Sequence, residues 1–572
     1  MPIQRIAIYP KEPYSNYVLL TLRHSGSKIL FSISIVVSNY RSRRKALSSS
    51  NKRTMGNGHI FALSTGYKGA RMSKKPTTTK NLSLASPTDE RLAALWRARD
   101  YTTLLAEPYL LTADIEVDGH PLSEWALELV RTCPDELQAQ HPLQMLRIAY
   151  ILFCAAKQRE ADALMQRIRT DIENKDEESE RQILLGEWMF ITALFCYPHI
   201  DKMLSALQKA DEFCGGKITV MDADSPFLFL LTSPFAVFHI TAGNAEKEGS
   251  LFKQFAMLYE KLTDGGGLGS AELYDAGLCY YRGDFTGAKL LCYKAAFLAE
   301  TKRQIFIQMG AARLLAQIAI HDMDMDAFAK AMKMEERAAA SSPRINSLTQ
   351  KMLEFERSDL YLEANVADHT PEWVQEGNLT SFPAVTHRFF RLQQLRYFFY
   401  GNKHEQCIGL GEALIRDWPD CGVLLKATIG MYVAFSYLRL DHEEQGMDLF
   451  KQYFPTLFAD KLYLVFSYFY ENMDGVLDDY LLDNYPTDAE AVFKQIEQNS
   501  QGRLRFMRTY LDTSAALTEK EKMVAELAAQ GLQNKEISKK MGISVSTVRT
   551  HLRQVFEKLE IDRRSQIEKL LK

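Results

Sequence analysis

The chain has 572 residues, 46% hydrophobic and 25% charged, with a formal net charge of −3, a soluble globular profile sized for about two to four domains. Its eight cysteines contain no Cys-x-x-Cys pair and read as free, mostly buried thiols of a reducing cytosol, which excludes a disulfide scaffold or a zinc ribbon. The small net charge conceals an asymmetry: residues 1–80 hold fifteen Lys/Arg against the single acid Glu12, residues 514–572 hold twelve against eight, and the stretch between carries about −21, so an acidic body is joined to a basic end suited to a polyanion.

In chain order, residues 1–71 lack helical periodicity and cluster Ser, Arg and Lys over Ser38–Arg53. They read as a disordered basic extension. A non-native origin is the alternative, because one codon choice for Lys68-Gly69-Ala70 spells a purine-rich ribosome-binding site just before Met72. The longest apolar run here, Ile29–Val37, is broken by Ser32 and Ser34. It falls far short of the roughly 20 residues of a membrane span, and no small-residue cleavage site follows it. Residues 72–86 read as a flexible leader.

From Pro87 to about residue 505 the pattern is helical, with amphipathic runs separated by short polar turns and no clear strand alternation. Leu92, Leu95 and Trp96 begin it, and a break falls at Arg99-Asp100. The apolar clusters Phe227–Leu231 and Phe235–Ile240 look strand-like locally but sit among helical neighbours. In Ala276–Ala296, Gly283, Phe285, Ala288 and Ala295 fall at tetratricopeptide spacing. Gly283 permits a tight turn, the two alanines let the helices approach, and Phe285 fills the space beside them. Weaker echoes lie around Gly401 and around Leu440. The fold class is therefore all-α: a tetratricopeptide-like solenoid of helical hairpins over 87–505, a linker at 506–513, and a four-helix module at 514–572.

In the C-terminal module Thr518 and Glu521 form a capping box, Val524 and Leu527 face inward, and Gly531 ends the first helix. Asn534 is expected to cap a short second helix, Lys535–Met541, ended by Gly542. The loop Ile543-Ser544 is short, so the next helix packs as a helix-turn-helix, with Ser544 or Ser546 as its cap. Along that third helix Val545, Val548, Leu552, Val555 and Leu559 make an apolar stripe, while Ser546, Thr547, Arg549, Thr550, Arg553 and Gln554 face away without an acid among them. Arg offers two parallel hydrogen bonds to guanine O6 and N7, and Thr a hydroxyl and a methyl, so this face suits the major groove. Lys535, Lys558, Arg563 and Arg564 flank it as candidate phosphate contacts. A fourth helix begins near Arg564 and uses Ile567, Leu570 and Leu571 as its apolar residues.

This pattern, Leu517-Thr518-x-x-Glu521, Gly531, Asn534-Lys535-Glu536-Ile537, Ile543-Ser544-x-x-Thr547-Val548-x-x-His551 and Lys558-Leu559, resembles the LuxR-type DNA-binding domain over about sixty residues. The resemblance implies that Arg549, Thr550 and Arg553 reach bases, and that Lys535, Thr547 and Lys558 meet phosphates; Ser546, on the same outward face, joins the phosphate candidates. It also implies that the last helix, through Ile567, Leu570 and Leu571, pairs with a second subunit on double-stranded DNA. One departure is Ser538, where the family usually has Ala; the hydroxyl calls for a backbone hydrogen bond. Pro371–Pro383, the hairpin at Gly283 and Phe466–Leu481 are more loosely similar to the helical-repeat arm of MalT-like regulators. Those begin with an ATPase domain, but no G-x-x-x-x-G-K-[ST] occurs here and Met72 leaves no room for one, so ATP switching is not carried over.

Other signals are weak. Gly265–Gly269 lacks the strand and lysine of a phosphate loop. Asp322, Asp324 and Asp326 mimic a calcium loop, but Ala327 replaces its glycine and Lys333 its bidentate glutamate. His404 and Cys407 lie one turn apart without a second pair. No catalytic set is identifiable, and neither a cofactor nor a metal is expected. The expectation is a cytoplasmic transcription regulator, by family an activator that engages RNA polymerase, whose body senses a small-molecule or protein effector and which binds DNA as a homodimer, away from membranes. The alternatives are an interaction scaffold with a non-functional helix-turn-helix and, less favoured, an enzyme.

Overall fold

The computed structural model describes residues 87–107, 116–117, 120–221, 223, 233–341, 346–363, 370–379, 384–469, 476–490, 492–496, 519–558, 564 and 567. The extension at 1–71, the leader at 72–86, the linker at 506–513 and the cluster Phe227–Leu231 lie outside them. Among the described residues the elements are helices, joined by turns and loops, apart from one two-residue antiparallel pair, Glu116–Val117 with His120–Pro121. Phe235–Phe238 is a single helical turn whose four side chains are all buried.

The body is built from hairpins: Pro142–Cys154 with Gln158–Glu173, Glu178–Phe195 with Ile200–Cys214, Ser270–Tyr281 with Phe285–Thr301, Ile305–Asp322 with Met325–Ala340, His387–Tyr400 with His404–Asp417, and Val423–Arg439 with Glu443–Ala459. Most of their corners share one backbone solution. A left-handed residue follows the first helix, and the next N–H donates five residues back: Lys157 to Leu152 (2.9 Å), Asp284 to Cys279 (2.9 Å), Asp324 to Ala319 (2.9 Å), Lys403 to Phe398 (2.8 Å) and His442 to Tyr437 (3.0 Å). This is the Schellman bond, which satisfies a carbonyl the helix end leaves bare. The left-handed residue is Gly283 in one corner but Ala156, Met323, Asn402 and Asp441 in the others. The turn residues near 401 and 440 are thus one position later than their sequence echoes suggest: Gly401 itself has φ −83°, and the left-handed work falls to Asn402. At Gly283 itself a Cβ would also meet the amide of Gln495, which donates to the Arg282 carbonyl at 2.8 Å. Ala288 and Ala295 are fully buried at the helix contact they were expected to fill, and Phe285 stacks on His321 at 5.1 Å.

The repeats do not run on as an open array. The Val423 N–H donates to the His239 carbonyl (2.7 Å), and Arg282 Nε donates to the Asp460 carbonyl (3.0 Å). Around this seam the His239 ring is fully buried, with Nδ1 2.7 Å from Glu248 and Nε2 3.2 Å from Asp460. Asp460 also accepts from the backbone N–H groups of Gly243 and Ala245, so residues more than two hundred positions apart share one charge-assisted knot. A continuous core from Leu92 to Ile496 results.

The weak motifs take structural roles. Asp324 caps Met325–Ala340 by accepting from the Ala327 N–H at 2.9 Å, and Asp322 pairs with Lys289. Gly265–Gly269 is an inter-helix loop whose Gly267 N–H donates to Gln304. Buried His404 lies 3.3 Å from the Ser436 hydroxyl, while Cys407 points at the Tyr432 carbonyl. All eight cysteines are free, five of them buried. Among the described residues no helix is long and apolar enough to cross a membrane, and no group of three metal-ligating side chains occurs.

Candidate nucleic-acid interface

The C-terminal module has its own core: Val524, Ala525 and Ala528 from Glu519–Ala529, Ile537 from Asn534–Met541, Val548, Leu552 and Val555 from Val545–Lys558, and Ile567. The third helix therefore buries Val548, Leu552 and Val555 of the stripe that its periodicity predicts, with Val545 half-buried at its start, which fixes its rotation. Leu559 and Thr518 lie outside the described residues.

Two tight turns set the angle between the helices. Gly531 and Gly542 are left-handed, and the Schellman bonds run from Leu532 to Leu527 (3.3 Å) and from Ile543 to Ser538 (3.2 Å). Ser538, the residue out of family pattern, donates its hydroxyl to the Ile543 carbonyl, which pins the turn and satisfies the hydroxyl. The second helix is capped one residue earlier than expected. Gln533 is the cap, and its N–H donates to the Glu536 carboxylate at 2.6 Å. Asn534 is thereby released to accept from Arg564 at 2.6 Å. The third helix is capped by Ser544, whose hydroxyl accepts from the Thr547 N–H at 3.0 Å and lies 2.6 Å from Ser546 and 2.7 Å from Thr547. Three hydroxyls thus crowd a helix N-terminus, where exposed N–H groups and the dipole favour an anion.

Arg549, Thr550 and Arg553 are all exposed on the side of the third helix opposite its buried stripe. The Thr550 hydroxyl donates back to the Ser546 carbonyl at 3.2 Å, which leaves its oxygen able to accept. Ser546 is exposed and Thr547 half-buried at the start of this face, and Lys535 is exposed on the second helix. Lys539 and Lys540, not singled out from the sequence, are exposed in the last turn of the second helix and extend the basic rim; their adjacency to Gly542 was the available signal. Half-buried His551, on the same helix, keeps Nδ1 buried without a hydrogen-bond partner.

Two assignments change. Arg564 is half-buried and donates to both the Leu532 carbonyl and Asn534 Oδ1. Loss of hydration in that position holds its pKa below the usual arginine range. It is a strut between the fourth-helix segment and the first turn rather than a free phosphate contact. Ile567 is fully buried inside the module's own core, so it has no side chain to offer a second subunit. Arg563, Leu570, Leu571 and the Lys558 side chain lie outside the described residues.

Residues 515–570 match the family model described as "Bacterial regulatory proteins, luxR family". The chain is 41% identical over 56 residues to the "Monoamine regulon transcriptional regulator" of Klebsiella aerogenes, covering 10% of this chain and 25% of that protein. It is 29% identical over 108 residues to the "Response regulator protein VraR" of Staphylococcus aureus, covering 17% of this chain and 51% of that protein. The chain thus spans a quarter to about half the length of these curated relatives. A LuxR-type helix-turn-helix domain occupies its C-terminus.

Proposed function

We propose that the chain is a DNA-binding transcription regulator whose C-terminal module reads the major groove with Arg549, Thr550 and Arg553. The observation that carries this is the third helix itself. Its apolar side is locked into the module core, and the opposite side offers two guanidiniums and a threonine to solvent. Lys535, Ser546, Thr547, Lys558 and Arg563 supply phosphate contacts, which add salt-dependent affinity without sequence reading. Leu570 and Leu571 pair two copies on an inverted-repeat site. The helical body is the half that binds an effector, and the LuxR-type resemblance extends the reading to contact with RNA polymerase and activation in the cytoplasm. The relatives, a transcriptional regulator and a response regulator by name, support the same class.

The test is a gel shift with the intact chain on sites recovered from genomic footprinting, read across salt. Arg549→Ala and Arg553→Ala should each cost about 1–3 kcal/mol on the specific site and relax preference at one base pair. Unchanged binding by the double variant would refute direct readout by this helix.

A further inference from the structure

The helix Phe285–Thr301 is apolar on both sides. Its inner side carries the fully buried Ala288, Cys292, Ala295 and Ala299 against the neighbouring helices Ser270–Tyr281 and Ile305–Asp322. Its outer side carries Leu290, Tyr293 and Phe297, which are 71%, 61% and 68% exposed. Spacings of three and four residues set these side chains in one row along the helix. A helix that is apolar all round is normally covered all round, yet this one meets water along a row of one leucine and two aromatics. Together the three leave about 400 Å² of apolar surface open per chain, the size of the largest patch on an ordinary monomer and one that commonly serves binding.

The lysines beside the row are already paired within the chain, Lys289 with Asp322 at 2.6 Å and Lys294 with Glu272 at 3.1 Å. Such a rim offers little to a strongly acidic or basic partner and suits another neutral, apolar surface. The row also fits itself. Lys289 lies toward its N-terminal end and Glu300 toward its C-terminal end, so an antiparallel copy brings opposite charges and opposite helix ends together, whereas a parallel copy brings like ones together. Two such rows cover about 800 Å² of apolar surface, and a polar rim brings the contact to roughly 1,200 Å², the lower end of stable interfaces.

We infer that the outer face of Phe285–Thr301 is a homodimer interface, on which a second copy of this chain packs the same helix antiparallel about a two-fold axis. The axis passes near Tyr293, so Leu290 of each copy lies against Phe297 of the other and the patch is its own complement. This pairing joins the helical bodies, is separate from any contact through Leu570 and Leu571, and needs no DNA. As the device that pairs a regulator it rests on the proposed function, but the association itself does not. Its failure would leave binding of the DNA-reading helix to a single half-site untouched, and a failed gel shift would leave the body dimer untouched.

The experiment is sedimentation velocity of the full chain without DNA, across the micromolar range expected of a contact this size. The expected result is a monomer–dimer equilibrium that added salt does not weaken, because apolar burial supplies it. Tyr293→Asp and Phe297→Asp should each raise the dissociation constant at least about thirtyfold. Both side chains face water in the single chain, so thermal unfolding of the two variants should match that of the unmodified monomer. Ile183→Asp, at an exposed apolar position on Glu178–Phe195, and Leu570→Asp should leave the dimer intact. A chain that stays monomeric throughout would overturn the proposal, as would a dimer that Leu570→Asp dissolves while Tyr293→Asp and Phe297→Asp do not. A monomer recovered with phosphatidylcholine vesicles would also overturn it and give the face to a lipid surface.

Discussion

Arg564 separates two explanations that the sequence leaves together. As a phosphate contact its loss weakens DNA binding electrostatically; as a strut its loss loosens the turn that aims the third helix. The structure gives it two charge-assisted bonds, to the Leu532 carbonyl and Asn534 Oδ1, at a half-buried position. Hydrogen bonds to a charged group contribute about 1.5–3 kcal/mol each when well shielded. Partial exposure reduces that, so the pair together is worth about 2 kcal/mol. Arg564→Met keeps the aliphatic stem and removes the donors. In the full chain it should lower hydrogen-exchange protection of the amides of the second helix by roughly thirtyfold, since about 1.4 kcal/mol is a factor of ten. DNA affinity should fall in parallel, yet the slope of log affinity against log salt should stay the same. Protection unchanged with the slope shallower by about 0.9 would refute the strut reading and restore Arg564 to the phosphate set.

Lys535→Ala should behave in the opposite way, leaving exchange protection unaltered and making the salt slope shallower by about one phosphate in gel shifts. Glu335 makes the body pH-sensitive with a definite sign: its folded pKa is raised to about 7 from 4.5, mainly by burial. The stability it lends is complete below about 4.5 and is lost as pH rises to 7, so denaturant midpoints should decline across that window and flatten in Glu335→Gln. Gly283→Ala forces a side chain into a left-handed corner and against Gln495; a loss of about 1–3 kcal/mol in urea unfolding is expected. Asp460→Ala leaves the backbone N–H groups of Gly243 and Ala245 without their acceptor at the seam. It should cost about 2–5 kcal/mol by the same measurement, and a loss under 1 kcal/mol would mean the knot does not hold the repeats together.

The hairpin architecture was legible wherever a corner used glycine and obscure wherever it did not. Five of the six corners need one residue at positive φ and one N–H aimed five residues back, but only Gly283 advertises it. Ala156 and Met323 meet the same demand with side chains that disfavour it by roughly 1–2 kcal/mol, and Asn402 and Asp441 with residues that tolerate it. Flanking helices supply that energy, so the turn is imposed by packing and leaves little trace in local sequence. The offset at Gly401 follows from this, because a glycine invites assignment as the left-handed residue when its neighbour Asn402 carries the conformation.

The same division between local and distant determinants explains the interface. The exposed side chains of Arg549, Thr550 and Arg553 lie on one helix whose burial, capping and charge are all encoded within fifteen residues, so period and composition suffice to orient them. Arg564 and Ile567 were assigned by residue type, yet their roles depend on Leu532, Asn534 and the core of Val524, Ile537 and Val555. Those contacts are fixed only when the fourth-helix segment docks. The polar cluster at Glu335 is the extreme case. Each of its members looks like an ordinary charge on an amphipathic helix, and only the stacking of the helices reveals that Arg313 and Arg396 meet Glu356 and Asp359 largely away from water, with Glu335 buried in the field of Arg313.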